Sequence, residues 1–113
     1  MEISEHKIGR VTILKVAGEI GLNAHPEQLS QVLGARLQTG QRLFVLNLAE
    51  CQRLDSMGLG ELIKAQKTVQ DKDGVIKLAQ VPLRVRSVIT VANLDQVLEM
   101  FQTEQAAINS FGE

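Results

Sequence analysis

Leu54-Asp55-Ser56-Met57-Gly58-Leu59-Gly60 lies between a run that reads as a buried strand and one that reads as an amphipathic helix. It sets an acid, a hydroxyl and two glycines where the chain turns into that helix. The first N–H groups of a helix lack intrahelical partners, so a helix start is a natural seat for a capping side chain or a negative charge. Upstream, Leu43-Phe44-Val45-Leu46-Asn47-Leu48 is apolar at all but one position. That is the pattern of a strand covered on both faces, as in parallel sheets. Downstream, Leu59, Leu62, Ile63 and Val69 mark one helical face with Gln66 as a polar gap, while Lys64, Lys67, Gln70 and Asp71 face outward.

The alternation continues on both sides of this unit. Residues 11–17 are β-branched and read as a near-central strand that Gly18 stops; residues 1–9 form an edge strand, joined to it in a hairpin at Gly9-Arg10. Residues 18–26 read as a loop. Pro26 is suited to the first position of a helix carrying Leu29, Val32, Leu33 and Leu37, with Asn23 or His25 as its cap and Gly40 as its left-handed end. Residues 49–53 read as a connecting loop. After the central helix come a turn at Asp73-Gly74, a strand over residues 75–79, and a helix begun by Pro82 and carrying Leu83, Val85 or Arg86, Val88, Ile89 and Ala92. A turn follows at Asn93-Leu94-Asp95, then a short strand over residues 97–101 and a terminal helix capped by Thr103. The order β-β-α-β-α-β-α-β-α predicts one α/β domain over residues 1–113. Its sheet is mixed and mostly parallel, of about five strands, with four helices mainly on one side.

Composition narrows the function classes. Twelve basic and 13 acidic residues give a net charge of −1, which offers no electrostatic footprint for direct nucleic-acid binding. The chain is 44% hydrophobic, yet its only aromatics are three Phe. The core is therefore aliphatic, and ring platforms for single strands or sugars are scarce. Cys51 is alone, which rules out an internal disulfide or a cysteine cluster. No signal-like start and no apolar run of about 18 residues is present, so a cytoplasmic protein without membrane insertion is expected.

Little in the sequence carries catalytic chemistry. His6 and His25 have no Cys or acid at ligand spacing, so no metal is expected. Gly58-Leu59-Gly60 lacks the rest of either nucleotide-binding fingerprint, so no cofactor is expected, and close packing of the helix start on the sheet accounts for the glycines. Ser56 has no histidine at an informative position. No enzyme is expected. Two readings of Ser56 remain. Either Asp55 or Ser56 caps the helix, or the Ser56 hydroxyl accepts a phosphate, which adds about −1.5 to −2 charges where the helix start offers partial positive charge.

Asp55-Ser56-Met57-Gly58-Leu59-Gly60, placed after the strand at residues 43–48, resembles the signature of the STAS domain. More closely, it is similar to the small bacterial anti-sigma factor antagonists, which carry Asp-Ser-Ser/Thr-Gly-Leu-Gly there. Gly18-Glu19-Ile20 matches the family's Gly-Glu-Ile/Leu, and Asn93-Leu94 falls at its Gly-Leu turn. The resemblance covers essentially the whole chain. It implies a partner-switching cycle in which the unphosphorylated protein binds an anti-sigma factor that is a serine kinase. Phosphorylation at Ser56 breaks the complex, and a serine phosphatase resets it. Asp55, Ser56, Met57, Gly58, Leu59 and Gly60, with Gly21 and Asn23 from the earlier loop, would form the partner-binding surface. The alternative is an accessory subunit of a lipid ABC-type transporter, or a stress-signalling scaffold, with no phosphorylation cycle. Three positions depart from the family pattern. Met57 replaces a second hydroxyl and reads equally as an interface anchor or a packed residue; Gly21 stands where aspartate is common, and Arg53 where an aromatic is frequent.

Overall fold

The computed structural model describes residues 1–22 and 27–112. Strands β1 (Glu2–Ile8) and β2 (Val11–Ile20) form the expected hairpin, with Gly9 at φ +60° in its turn. Beyond it come α1 (Glu27–Gln38), β3 (Leu43–Asn47), β4 (Cys51–Leu54) and α2 (Ser56–Gln70). Then follow β5 (Val75–Ala79), α3 (Leu83–Val91), a 3-10 turn (Leu94–Gln96), β6 (Met100–Phe101) and α4 (Glu104–Asn109). The sheet order is β1-β2-β3-β5-β6; β1 is antiparallel to β2, and the remaining pairs are parallel.

Alternation along the strands sorts the core to two faces. Leu14, Val16, Phe44, Leu46, Ile76 and Leu78 point to the face covered by α1, α2 and α3. Val11, Ile13, Val45 and Ala79 point to the other face, where Ala107 and Ile108 of α4 pack. The four helices thus lie three on one side and one on the other. Lys77 of β5 is buried on the α4 side. Its ammonium lies 4.4 Å from the centre of the Phe111 ring and donates to Ser110 Oγ at 2.6 Å. Buried Asn47 donates to Gln80 and Glu104, tying the start of α4 to the strand ends.

Three expectations need correction. Residues 51–53, read as part of a loop, form strand β4 together with Leu54, giving six strands in the sheet. A four-residue strand with Gln52 and Arg53 both exposed carries no alternation, so its pairing comes from β2 and not from its own pattern. Gly18 does not stop β2. The register shifts between Gly18 and Glu19, and the strand continues to Ile20 paired with β4 in place of β3. Gly18 has φ +92°, so glycine here makes a bulge and not an end. Residues 97–101 contain strand only at Met100–Phe101, because the turn ending at Gln96 delays pairing with β5. Of the two alternatives left open on α3, the structure turns Val85 inward and leaves Arg86 exposed.

Other signals hold. Gly40 has φ +91° after α1 and its N–H bonds the Leu37 carbonyl. Thr103 Oγ1 accepts from the Ala106 N–H at 3.0 Å as the cap of α4. Gln66, the polar gap on α2, is buried and donates to the Val97 carbonyl, which explains an amide on an apolar face. Asn23, His25 and Pro26, expected to start α1, lie outside the described residues.

Candidate functional site

The bulge at Gly18 places the end of β2 beside β4, with Ile20 opposite Leu54. The two strands end together, and α2 begins at that point. Asp55, not Ser56, is the helix cap. Its backbone is extended and its Oδ1 accepts from the Gly58 N–H at 2.9 Å. Its Oδ2 accepts from the Leu22 N–H at 3.1 Å, so one carboxylate closes both the helix start and the loop after β2. The Gly58 N–H, then the Leu22 N–H, hold this carboxyl below its ordinary range, with the Arg53 charge adding to them against partial burial.

The glycines divide by role. Gly58 is buried, and a Cβ there would overlap the Ile20 carbonyl oxygen, so α2 approaches β2 backbone to backbone. Gly21 is buried too, and a Cβ on it would overlap the Asp55 carboxylate. Gly60 meets nothing within 4 Å and is exposed on α2. The packing explanation therefore holds for Gly58 and fails for Gly60. Glycine inside a helix costs about 1 kcal/mol relative to alanine, and nothing within the described fold offsets that cost at Gly60.

Ser56 is the first residue of α2, exposed, and its hydroxyl has no hydrogen-bond partner among the described residues. Met57 is half exposed at 50%, so it is not a packed helix-start residue. Leu59 is half-buried. The expected site residues Asp55 to Gly60 and Gly21 thus converge on one corner of the molecule, while Asn23 lies outside the described residues.

Two features of this corner were not visible in the motif. An open groove of about 420 Å³ runs between α2 and α3, lined by Ser56, Leu59, Ser87, Val88, Val91 and Ala92. The α3 residues were assigned only to a generic helix. The exposed Leu83 and Val91, eight residues apart, are the signal that one stripe of α3 lacks a partner. The second feature is Glu61, 7% exposed, whose Oε1 accepts from the Ser30 hydroxyl at 2.7 Å and the Ser30 N–H at 3.3 Å. A carboxylate of α2 thus caps the first turn of α1. Cys51 is buried, its thiol pushed up by that burial, and its Sγ donates to the Arg53 carbonyl at 3.5 Å. A buried thiol held in its neutral form is a poor nucleophile.

No group of three or more His, Cys, Asp or Glu among the described residues is placed to hold a metal ion. No helix among them is long and apolar enough to cross a membrane.

The model of the STAS domain family matches residues 2–107. This chain belongs to the STAS domain family. Its relatives include the Bordetella bronchiseptica protein BtrV, named as an anti-sigma factor antagonist. The two are 25% identical over 111 residues, 98% of this STAS domain chain and 95% of BtrV. A solved anti-sigma factor antagonist from Mycobacterium paratuberculosis superposes with a TM-score of 0.84 at 21% identity, covering 99% of this chain and 94% of that one. The unphosphorylated form of the anti-sigma factor antagonist SpoIIAA, from Bacillus, gives a TM-score of 0.78 at 20% identity, with 97% and 96% covered. The six-stranded mixed sheet and four helices are the fold of these structures.

Proposed function

We infer that this STAS domain is an anti-sigma factor antagonist, a cytoplasmic binding protein without catalysis of its own, switched off by phosphorylation at Ser56. The observation that carries the reading is the division of labour at the start of α2. Asp55 takes the Gly58 N–H, and the exposed Ser56 hydroxyl bonds no group among the described residues. A kinase needs such a hydroxyl, delivered to its own nucleotide and magnesium. SpoIIAA, similar in fold, occurs in an unphosphorylated and a phosphorylated form.

Electrostatics explains how one phosphate would act. The Gly58 N–H is already held by the Asp55 carboxylate, so a phosphate on Ser56 does not replace that cap. It stands in the lining of the apolar groove, adding charge where a partner would otherwise exclude water, and burying unpaired charge is costly. In the unphosphorylated form Met57, Leu59 and Gly60 present the docking surface. Asp55, Gly58 and Gly21 shape it from beneath, and Asn23 follows in the adjoining loop. The partners are a serine-kinase anti-sigma factor and a serine phosphatase. An exposed Ser56, unbonded among the described residues, favours this cycle over the permanent interface of a transporter subunit or scaffold.

The test is to incubate the protein with its cognate anti-sigma factor kinase and ATP and to measure intact mass. One phosphate is expected on the wild type and none on Ser56→Ala. Phosphate on the alanine variant overturns the assignment.

A further inference from the structure

We propose that the cavity where the β1–β2 turn meets the end of α1 binds a phosphate group, gripped by Arg42 and Lys7. The site lies at the opposite pole of the sheet from Ser56 and does not rest on the reading given to that serine. Two observations carry it: the charge of the lining and the way the fold fixes Arg42.

Val11 at the start of β2 pairs with Leu43 at the start of β3, so the connections that precede the two strands meet at one end of the sheet. Between them lies a cavity of about 280 Å³. Its lining holds three cations, Lys7, Arg10 and Arg42, and no acid among the described residues. In a chain of net charge −1 that is a local concentration of positive charge. Glu5 shares a face of β1 with Lys7, but its carboxylate is held by Arg36 at 2.7 Å. Gly9 and Gly40 also line the cavity, so bare backbone forms that part of its wall.

Arg42 is fixed by its own surroundings. Its Nη1 donates to the Leu37 carbonyl and to the Gln41 carbonyl, both at 2.9 Å. A guanidinium is a planar fork of five N–H groups. The two on Nη1 are used, while those on Nε and Nη2 bond nothing among the described residues. That remaining edge matches two oxygens of a phosphate, and its geometry is set before a ligand arrives. The carbonyls at the end of α1 would oppose an anion, yet they are already taken. Arg36 O accepts from the Thr39 and Gln41 N–H groups, and Leu37 O from the Gly40 N–H and Arg42. The buried Thr12 hydroxyl donates to Gln41 Oε1, so that acceptor too is engaged, and Gln41 Nε2 donates to Thr39 Oγ1 at 3.3 Å.

Charge and size select the ligand class. A phosphate monoester carries about two negative charges and three acceptor oxygens, enough to engage the Arg42 fork and Lys7 together. A carboxylate has one charge and two oxygens, and the fork alone satisfies it. The cavity is at the small end of ligand sites, and its lining has no aromatic side chain on which a base could stack. It therefore suits a phosphate that is free, on a short carbon chain, or on a lipid headgroup. The run of β2 from Val11 to Ile20 spans about 30 Å, so a ligand here leaves the corner at Ser56 open.

The experiment titrates the full chain with glycerol 3-phosphate, inorganic phosphate and acetate by calorimetry, and with phosphatidic acid vesicles by co-sedimentation. At least one phosphate probe is expected to bind about tenfold or more tighter than acetate. Amide resonances of Gly9, Gly40, Gln41 and Arg42 are expected to shift with the small phosphates. Preference for glycerol 3-phosphate assigns a small organic phosphate, equal affinity for inorganic phosphate assigns the free ion, and binding to the vesicles alone assigns a headgroup; each supports the site. Arg42→Lys keeps the charge but loses the fork, and is expected to weaken binding by about tenfold or more. Lys7→Gln is expected to weaken it several-fold. Lys7 makes no hydrogen bond or ion pair among the described residues, so this variant keeps the test decisive if thermal unfolding shows Arg42→Lys to be misfolded. Lys64→Gln, an exposed change on α2, is expected to leave affinity unchanged. The site is overturned if no phosphate probe binds, if acetate binds as tightly, or if Lys64→Gln weakens binding as much as Lys7→Gln does.

Discussion

The Asp55 carboxylate occupies the space that a side chain at Gly21 would need. From there it accepts the Leu22 N–H with one oxygen and the Gly58 N–H with the other. The helix carrying Ser56 is therefore aligned to the end of β2 by one residue, and the glycine beneath it is what lets that residue sit down.

Replacing Gly21 with alanine should push the Asp55 side chain out of this seat. Overpacking of this kind costs about 1–3 kcal/mol, and urea unfolding should show a lower midpoint with an unchanged slope. Amide exchange should speed up at Leu22 and Gly58 in particular. A variant as stable as wild type, with both amides still protected, would contradict the geometry.

The two motif glycines should respond oppositely to alanine. Gly58→Ala drives a methyl group into the Ile20 carbonyl and should destabilise by about 1–3 kcal/mol. Gly60→Ala meets open space and should stabilise the helix by about 0.5–1 kcal/mol. If Gly60 is kept small for a docking partner, the stabilised variant should bind the kinase more weakly. Equal affinity would remove Gly60 from the interface.

A charged mimic at Ser56 should separate folding from binding. Ser56→Glu changes an exposed side chain at a helix start that bonds nothing among the described residues, so stability should move by no more than about 0.5 kcal/mol. Binding to the anti-sigma factor kinase should be lost. Thermal unfolding and calorimetry on the same sample decide this, and a mimic that unfolds the protein would make Ser56 a structural residue.

Acid should act through Asp55 in a definite direction. Its folded-state value lies below the ordinary 3.8, so its contribution is fully present above that value and is lost as pH falls through the lowered one. Asp55→Asn should be less stable than wild type at neutral pH, because its amide cannot accept both N–H groups. The difference should shrink as the pH falls below 3.8 and wild-type Asp55 takes up its proton. A gap that stays constant from neutral pH to strong acid would show that the charge on Asp55 has no part in the cap.

Much of this was legible locally. The turn glycines with positive φ, the Thr103 cap, the Val11 and Leu43 strands and the order of elements follow from residue type and period alone. So did the corner at residues 55–60, because an acid, a hydroxyl and glycine at a strand-to-helix junction are readable without coordinates. Strand β4 was not, since Gln52 and Arg53 face solvent and only β2 makes that segment a strand. Nor was the groove, whose lining residues on the two helices lie more than 25 positions apart along the chain.

The sequence by itself determined that a capped helix with one free hydroxyl follows a buried strand. Helix starts and turns depend on side-chain donors, acceptors and φ preferences within a few residues. Only the tertiary structure decided which residue caps and which stays free. That choice depends on Gly21 and Leu22, more than 30 residues upstream, being carried to Asp55 by the bulge in β2. With Asp55 held there, Ser56 is left facing the groove.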